Sequence, residues 1–328
     1  MQSFNYTPGG YRNLIKMSND KRLLVEGKED KNLFQLLLDE LYINQRLDRA
    51  KIKISIDSAE QLVSVDNATG NRQKVEVLCK SIENQTYKHK LVGFVDREFR
   101  EFNISDTIND NLNIHKVEGQ LVWSRGHSIE NYFFDFSILR DPLRDLSATE
   151  WFNDALSLFE KHINSTIRLA CCISLVGNEL GKLNLFKSSI NWKLITINSS
   201  NIELLVDDWK EYLIEKHLNH EEVRKIITLY KYWQPIIENA DFQVVRWICH
   251  GHIGVAVIWA VYSRCVYDIS TRLGSDKPES EVAKVQGIKE GNRTHACASW
   301  WARKAMGNQC DYPIEVLKLL GLNLDLPY

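Results

Sequence analysis

Acidic residues stand where predicted strands end. Glu26 ends "RLLVE", Asp57 ends "KISID", Asp96 and Glu98 close "KLVGFVDRE", and Glu130 lies in "GHSIENYFF". Carboxylates that converge repel one another unless a cation lies between them, and hard oxygen ligands suit Mg²⁺ or Mn²⁺. A divalent cation held in this way stabilises negative charge on a phosphoryl group and can activate an attacking water. These residue types therefore predict metal-dependent attack on a phosphate.

The elements that must position these acids are strands and helices in alternation. Over the first 135 residues, short β-branched runs ("RLLVEG", "KIKISID", "KLVGFVD") alternate with helical patterns at 28–48 and 71–85. This alternation predicts βαβ units and a mostly parallel sheet. Parallel strands share their carboxyl ends, so at least Glu26, Asp96 and Glu98 are expected on one edge of the sheet, where open α/β sheets bind ligands.

Spacing supports the same site. Asp96 and Glu98 are two residues apart, so in extended backbone their side chains point the same way. Asp30 follows Glu26 by four residues across Gly27 and is expected to face back toward the metal from the first helical turn. Gly27 is expected to let the backbone turn tightly so that a phosphate can approach.

Several of these acids also have a purely structural explanation. Glu26 could accept hydrogen bonds from backbone N–H groups of its turn, and Glu130 could cap a segment at Asn131. Asp57 is expected to be a helix N-cap rather than a ligand, because Ser58 and Glu60 stand where a helix start requires them. Those alternatives leave the carboxylates without a metal.

The neighbouring cations have two interpretations as well. Asp96 and Glu98 could pair with Arg97 and Arg100, in which case Arg97 is a structural clamp rather than a nucleic-acid contact. Lys28, beside Glu26, could hold a phosphate or remain solvated. The sequence leaves both roles open.

The second half of the chain has a different texture. Helical periodicity dominates from residue 136 in "ATEWFNDALSLFEKHI", "IELLVDDWKEYLIEKHL", "EEVRKIITLYKYWQPII" and "DYPIEVLKLLGL", while "KLITINSS" is expected to contain a strand. We therefore predict an α/β protein with a catalytic domain at 1–135. A mainly helical domain at 136–328 would serve substrate, dimer or partner contacts.

A basic and aromatic stretch lies near the end of the chain. "KVQGIKEGNRTHACASWWARKA" carries Lys289, Arg293, Arg303 and Lys304 with two tryptophans. Basic residues with aromatics can follow a phosphate backbone and stack on bases. An ordinary amphipathic helix has the same composition, so nucleic-acid contact is one of two interpretations.

Two histidines occur in "CHGHIG". On a strand, His250 and His252 would share a face and could bind a metal. At the start of a helix they would point about 200° apart, and the apolar segment that follows favours the helix. Capping or packing is therefore preferred over a substrate contact.

Composition sets the cellular context. The net charge is −2, and the seven cysteines show no CxxC spacing, which favours a reducing cytoplasm over a disulfide framework or a zinc ribbon. The first residues lack the apolar segment of a signal peptide. The longest apolar run, "IGVAVIWAVY", is half the roughly 20 residues of a membrane span, so a buried core helix and no membrane association are expected.

Three motifs together resemble a known family. "LLVEG" with a following acid, the strand ending "FVDREF", and "SIENYFF" resemble the TOPRIM proteins that accompany ABC-type ATPases in bacterial anti-phage systems of the PARIS type. The likeness covers about residues 20–135 and is weaker beyond. Glu26 matches the family's glutamate, Asp96 the first acid of its DxD pair, and Glu130 the acid of its "IEN" motif. Glu98 departs from the pattern, which usually has Asp there.

The resemblance implies a toxic Mg²⁺- or Mn²⁺-dependent nuclease. An ABC-type ATPase sensor would hold it inactive and release it on infection, after which it would act as a homodimer on RNA, with tRNA as a candidate substrate. One alternative is a non-catalytic TOPRIM-like subunit that docks on the ATPase; another is primase-like nucleotidyl transfer. Metal binding by the acids separates the nuclease from the docking subunit.

Overall fold

The computed structural model describes residues 5–44, 52–63, 68–112, 114–198, 201–307 and 309–322, which belong to two compact units. The first unit comprises Met1–Arg97, Leu112–Ile129 and Trp301–Tyr328, and the second comprises Glu98–Asn111 and Glu130–Trp300. Each unit therefore combines segments that are distant in sequence. A single domain boundary after residue 135 stays a prediction, and both units contain residues from either side of it.

The elements follow one another in chain order. The strands are β1 (Lys21–Val25), β2 (Ile54–Ser58), β3 (Leu91–Val95), β4 (Phe102–Ile104), β5 (Ile108–Asp110), β6 (Val117–Glu118), β7 (Leu121–Trp123), β8 (Ile195–Ile197) and β9 (Ile202–Leu204). The helices are α1 (Pro8–Met17), α2 (Lys28–Ile43), α3 (Asn71–Ile82), α4 (Phe136–Leu146), α5 (Phe152–Glu179), α6 (Leu183–Phe186), α7 (Val206–Glu215), α8 (His220–Asn239), α9 (Phe242–Ile248), α10 (Gly251–Arg272), α11 (Pro278–Gln286), α12 (Glu290–Met306) and α13 (Ile314–Leu319).

The first unit is built on a five-stranded sheet of order β2-β1-β3-β7-β6. Strands β2, β1, β3 and β7 are mutually parallel, and β6 is antiparallel to β7. All five residues of β3 are buried, as expected for a strand covered on both faces. The predicted α/β class with a mostly parallel sheet is confirmed.

Helices α2 and α3 pack against this sheet. The apolar face of α2 includes Phe34, whose ring meets Phe94 of β3 edge-on at 4.9 Å. Helix α3 comes close to β3 at Gly93, where a Cβ atom would lie 2.4 Å from Cys79 Sγ. A side chain at Gly93 would force the helix away from the sheet, so this glycine sets their separation.

The second unit is mainly helical, with two small hairpins, β4-β5 and β8-β9. Its two longest helices, α5 and α10, pack against each other. Among the described residues, α10 alone is long and apolar enough to cross a membrane, and 78% of its apolar window is buried. The buried core helix expected from "IGVAVIWAVY" is therefore present.

Most predicted elements are present with shifted ends. The helix expected at 28–48 ends at Ile43, the last residue of α2, and residues 45–51 lie outside the described part of the chain. The helix expected from "IELLVDDWKEYLIEKHL" begins only at Val206, because Ile202–Leu204 pairs with β8 instead. The strand expected in "KLITINSS" is β8.

Candidate metal centre at the carboxyl edge of the sheet

Glu26 and Asp96 meet where two neighbouring parallel strands end. Glu26 directly follows β1 and Asp96 directly follows β3. The Asp96 backbone N–H donates a hydrogen bond to Glu26 Oε1 at 2.8 Å, and both residues are half-buried. The Glu26 carboxylate thus accepts a backbone hydrogen bond just beyond the last paired strand residues, and this bond fixes the direction of the Glu26 side chain.

The segment that follows β3 is also fixed by hydrogen bonds to the loop after β7. The Arg97 backbone N–H donates to Ser124 Oγ at 2.9 Å, and Ser124 Oγ donates to the Gly126 carbonyl at 2.6 Å. The fully buried Arg97 guanidinium donates to the Arg125 carbonyl at 2.9 Å. Arg97 therefore braces the loop after β3 against the loop after β7. Its predicted contact with nucleic acid stays a prediction, and in this conformation its side chain has no exposed surface.

Two more carboxylates flank Gly27. Asp30 Oδ2 accepts a hydrogen bond from the Gly27 N–H at 2.9 Å, which closes the first turn of α2. A Cβ atom at Gly27 would lie 3.6 Å from Asp30 Oδ2 and 3.6 Å from Glu60 Oε1. Asp30 thus faces back toward the turn, and its predicted role as a metal ligand stays a prediction. Glu60 is a residue that the sequence had suggested only as part of a capping signal.

The conformation of Gly27 corrects the reason given for a glycine at this position. Its φ of −127° and ψ of 172° are extended backbone that any residue adopts, so no tight turn requires glycine. Because Gly27 has no side chain, it leaves open space between the carboxylates of Asp30 and Glu60. This space is where a ligand could reach the backbone closely.

Glu98 does not continue the strand. It is exposed, lies in a turn that belongs to the second unit, and has a φ of +55°. Side chains two residues apart point the same way only in extended backbone, so the alternation predicted for Asp96 and Glu98 does not apply here. A left-handed conformation is uncommon for glutamate and stores strain. The role of Glu98 as a ligand stays a prediction.

The Asp57 side chain makes structural hydrogen bonds at the sheet. It lies in β2 and accepts hydrogen bonds from Arg22 Nη1 at 2.6 Å and from the Tyr11 hydroxyl at 2.9 Å. Burial, and then the adjacent Asp57 carboxylate, raise the pKa of Tyr11 well above its usual value. The predicted N-cap is the next residue, Ser58, whose hydroxyl accepts from the Glu60 N–H. The prediction that Asp57 is itself the N-cap is therefore wrong, because its carboxylate pairs with Arg22 and Tyr11 instead.

Glu130 occupies a turn of 3₁₀ helix, Ile129–Phe133, rather than a strand end. Its neighbour Asn131 donates from Nδ2 to the carbonyls of Arg246 and Cys249, both at 2.8 Å. A Cβ atom at Gly254 would lie 2.1 Å from the Phe134 ring. The motifs "IENYFF" and "CHGHIG", singled out separately in the sequence, are thus locked together in the second unit.

The two histidines have different surroundings. His250 is the N-cap residue of α10, and burial is the main cause that lowers its pKa to about 4. His252 lies in the first turn of α10, with Nδ1 at 3.0 Å from Glu290 Oε1 and Nε2 at 3.8 Å from Glu130 Oε1. A packing role fits His250, whereas His252 faces two carboxylates.

The basic and aromatic stretch is largely occupied by structural contacts. Trp301 is fully buried and donates to the Asp311 carbonyl, so it is not available to stack on a base. The Arg293 guanidinium lies 5.0 Å from the Trp259 ring, and Arg303 pairs with Glu40 at 3.4 Å.

The other predicted cations of the site are at least partly accessible. Lys28 and Lys289 are exposed, and Lys304 is half-buried. Their contacts with phosphate stay predictions.

Comparisons with protein-family models and with curated protein sequences found no match for this chain.

Proposed function

We propose that this protein is a metal-dependent phosphodiesterase of the TOPRIM type that cleaves nucleic acid at the carboxyl edge of its parallel sheet. The observation that carries the proposal is the hydrogen bond from the Asp96 N–H to Glu26 Oε1, which joins the ends of two adjacent parallel strands. Asp30 and Glu60 add two carboxylates around the adjoining Gly27. The order of motifs along the chain supports the same assignment.

The donor set fits a hard divalent cation. Glu26, Asp30, Glu60 and Asp96 offer only carboxylate oxygens, which Mg²⁺ and Mn²⁺ prefer over nitrogen or sulfur. When bound, such a cation would stabilise charge on the phosphoryl group and lower the pKa of a water molecule. Glu26 and Asp96 are the residues we expect to hold it, with Asp30 and Glu60 beside them.

The chain itself contributes rigidity and access. The side chain of Glu26 is oriented by a backbone donor, and the segment after β3 is fastened through Ser124 and Arg97. A carboxylate held in this way need not be ordered when substrate arrives. Gly27 leaves room for a phosphate, and exposed Lys28 at the amino end of α2 adds positive charge beside the partial positive charge of the helix terminus.

The choice of substrate and partner depends on the family resemblance. It suggests RNA, with tRNA as a candidate, and control by an ABC-type ATPase that restrains a toxic activity. A homodimer is the expected active form. The docking-subunit alternative shares the fold and dispenses with the metal.

The test compares the wild-type protein with Glu26→Gln on mixed RNA and DNA, purified without a partner, in Mg²⁺, Mn²⁺ or EDTA. The matched control is Asp39→Asn, an acid-to-amide change on α2 nine residues beyond Asp30 and so about 13 Å away along the helix. We expect metal-dependent cleavage in the wild type and the control and none in Glu26→Gln. If no sample cleaves and calorimetry detects no Mn²⁺ binding, the docking-subunit alternative replaces the nuclease.

A further inference from the structure

His252 and Glu130 form an arrangement that the proposed nuclease site does not use. Both lie in the second unit, on segments that are far apart in sequence. The Glu130 side chain is 6% exposed and the His252 side chain is 30% exposed, so the pair is shielded and still reachable from solvent.

The distances distinguish the two nitrogens of the ring. Nδ1 lies 3.0 Å from Glu290 Oε1, which is hydrogen-bond distance, whereas Nε2 lies 3.8 Å from Glu130 Oε1, which is too long for one. Donation from Nδ1 to Glu290 leaves the Nε2 lone pair directed away from that partner. Ligand atoms that each lie about 2.0–2.2 Å from one first-row cation are roughly 3–4 Å apart. The gap between Nε2 and Glu130 has that width.

The surroundings hold this geometry in place. Asn131, next to Glu130, bonds the carbonyls of Arg246 and Cys249 just before α10. Phe134 fills the space over Gly254, two residues beyond His252 on α10. Tyr132 meets Trp247 edge-on at 5.3 Å. The turn that carries Glu130 and the helix start that carries His252 therefore form one rigid assembly, as ligand preorganisation requires.

The second carboxylate has the position of an orienting partner. Metal-bound histidines commonly donate their other ring N–H to a carboxylate, which fixes the tautomer and raises the basicity of the ligand. Glu290 stands at that position. The amino end of α10 carries partial positive charge that opposes a cation, and the full negative charges of Glu130 and Glu290 outweigh it.

We propose that His252 Nε2 and Glu130 bind a divalent first-row transition metal in the second unit, with Glu290 as the positioning residue for His252. The donor set is mixed nitrogen and oxygen, which suits Mn²⁺ or Zn²⁺ better than Mg²⁺. Solvent or a phosphate group completes the coordination. This site is separate in its residues from the oxygen-only centre formed by Glu26 and Asp96, and it does not depend on nuclease activity.

The chemical difference between the two centres provides the test. Mn²⁺ added to the 328-residue protein is examined by pulsed EPR, in which a directly coordinated nitrogen modulates the spin echo. The wild type and Glu26→Gln should show this modulation, and His252→Gln should lose it. His295→Gln is the matched control, since it removes an exposed imidazole from the same helix as Glu290 and should keep the signal. Glu290→Gln should weaken Mn²⁺ binding at this site by roughly 10–100-fold.

A second sample tests the same ligand without depending on correct folding of His252→Gln. Wild-type protein carrying ¹⁵N-labelled histidine should show a changed modulation frequency if a histidine nitrogen is the ligand. Mn²⁺ binding without nitrogen modulation would overturn the proposal and leave the oxygen-only centre intact. Equal modulation in wild type and His252→Gln would also overturn it. In either case the contacts among His252, Glu130 and Glu290 would be structural only.

Discussion

Replacing Glu60 by glutamine should make the metal-free protein more stable. Glu60 Oε1 and Asp30 Oδ2 each lie 3.6 Å from the Cβ position of Gly27, so they are at most about 7 Å apart, where two unit charges repel by about 0.6 kcal/mol in a water-like dielectric. Glu60 is exposed, so the water-like value applies. Glutamine keeps the shape of the side chain and removes the charge. We therefore expect the free energy of unfolding in EDTA to rise by about 0.5 kcal/mol.

The order of stability of the wild type and Glu60→Gln should reverse when metal is present. Mn²⁺ at a hundred times its Kd would stabilise the wild type by about 2.7 kcal/mol. A variant with one carboxylate fewer binds more weakly and gains less, so wild type becomes the more stable protein. Urea unfolding of the wild type and Glu60→Gln, in EDTA and in Mn²⁺, measures which protein is more stable under each condition. Glu76→Gln, at a half-buried position on α3 where the acid pairs with Arg72 at 3.5 Å, is the control; its stability relative to the wild type should not change sign when Mn²⁺ is added.

One result would refute the reasoning. If Glu60→Gln is less stable than the wild type in EDTA, the Glu60 carboxylate makes a favourable structural interaction and does not belong to a repulsive cluster. If Mn²⁺ stabilises both proteins equally, Glu60 lies outside the metal centre.

Three further predictions follow from single positions. Gly93→Ala should destabilise the protein by about 3 kcal/mol in urea unfolding, because the new methyl group would lie 2.4 Å from Cys79 Sγ on α3. The control is Gly9→Ala, at a helical position with nothing within 4 Å, which should be neutral or stabilising by up to about 1 kcal/mol. Equal effects of the two substitutions would disprove the close packing at Gly93. Gly27→Ala should fold normally, since its backbone is extended, yet reduce cleavage at least about tenfold by occupying the phosphate approach; full activity with normal stability would exclude that approach. Burial, and then Arg125, lower the pKa of His115 to about 4 from a usual 6.5, so the unfolded chain takes up this proton first as the pH falls. The free energy of unfolding should fall by about 2 kcal/mol between pH 7 and pH 5 through this group. In acid denaturation, His115→Gln should reduce this loss, with exposed His89→Gln as the matched control.

The parallel sheet was predictable because the pattern is local. Leu23, Leu24 and Val25 form a continuous apolar run, and a strand buried on both faces needs such a run. The helix that follows has its own apolar face and an acid at its third position, Asp30, which accepts from the N-cap backbone. Each feature depends on residues within a few positions of one another. The edge that gathers Glu26 and Asp96 then follows from the shared direction of the strands.

The partners of the acids were not predictable, because they depend on pairing register. Asp57 lies diagonally across from Arg22 on the neighbouring strand, and no spacing in the sequence indicates that register. Glu60 joins Asp30 only because β2 lies beside β1. A search for every acid within three residues of a predicted strand end would have included Glu60. It would have included many surface acids as well.

The conformation at Glu98 shows a limit of another kind. The alternation of side chains holds only while the backbone remains extended, and a turn begins at this residue. Two residues of this loop, Glu98 and Glu101, have positive φ without being glycine. Composition gives no signal for such strain. It is set by the tertiary contacts on either side of the loop.

The path of the chain between the two units has a consequence for synthesis in the cell. The first unit, which carries Glu26 and Asp96, is completed only by residues from 301 onward, where Trp301 is buried and α13 packs against β3. The second unit is complete by residue 300. A ribosome that has made the whole helical unit has therefore not yet supplied the last piece of the sheet unit. The carboxylate edge of a nascent chain then rests on an unfinished core, so full assembly of this edge must await translation of the segment that begins at residue 301.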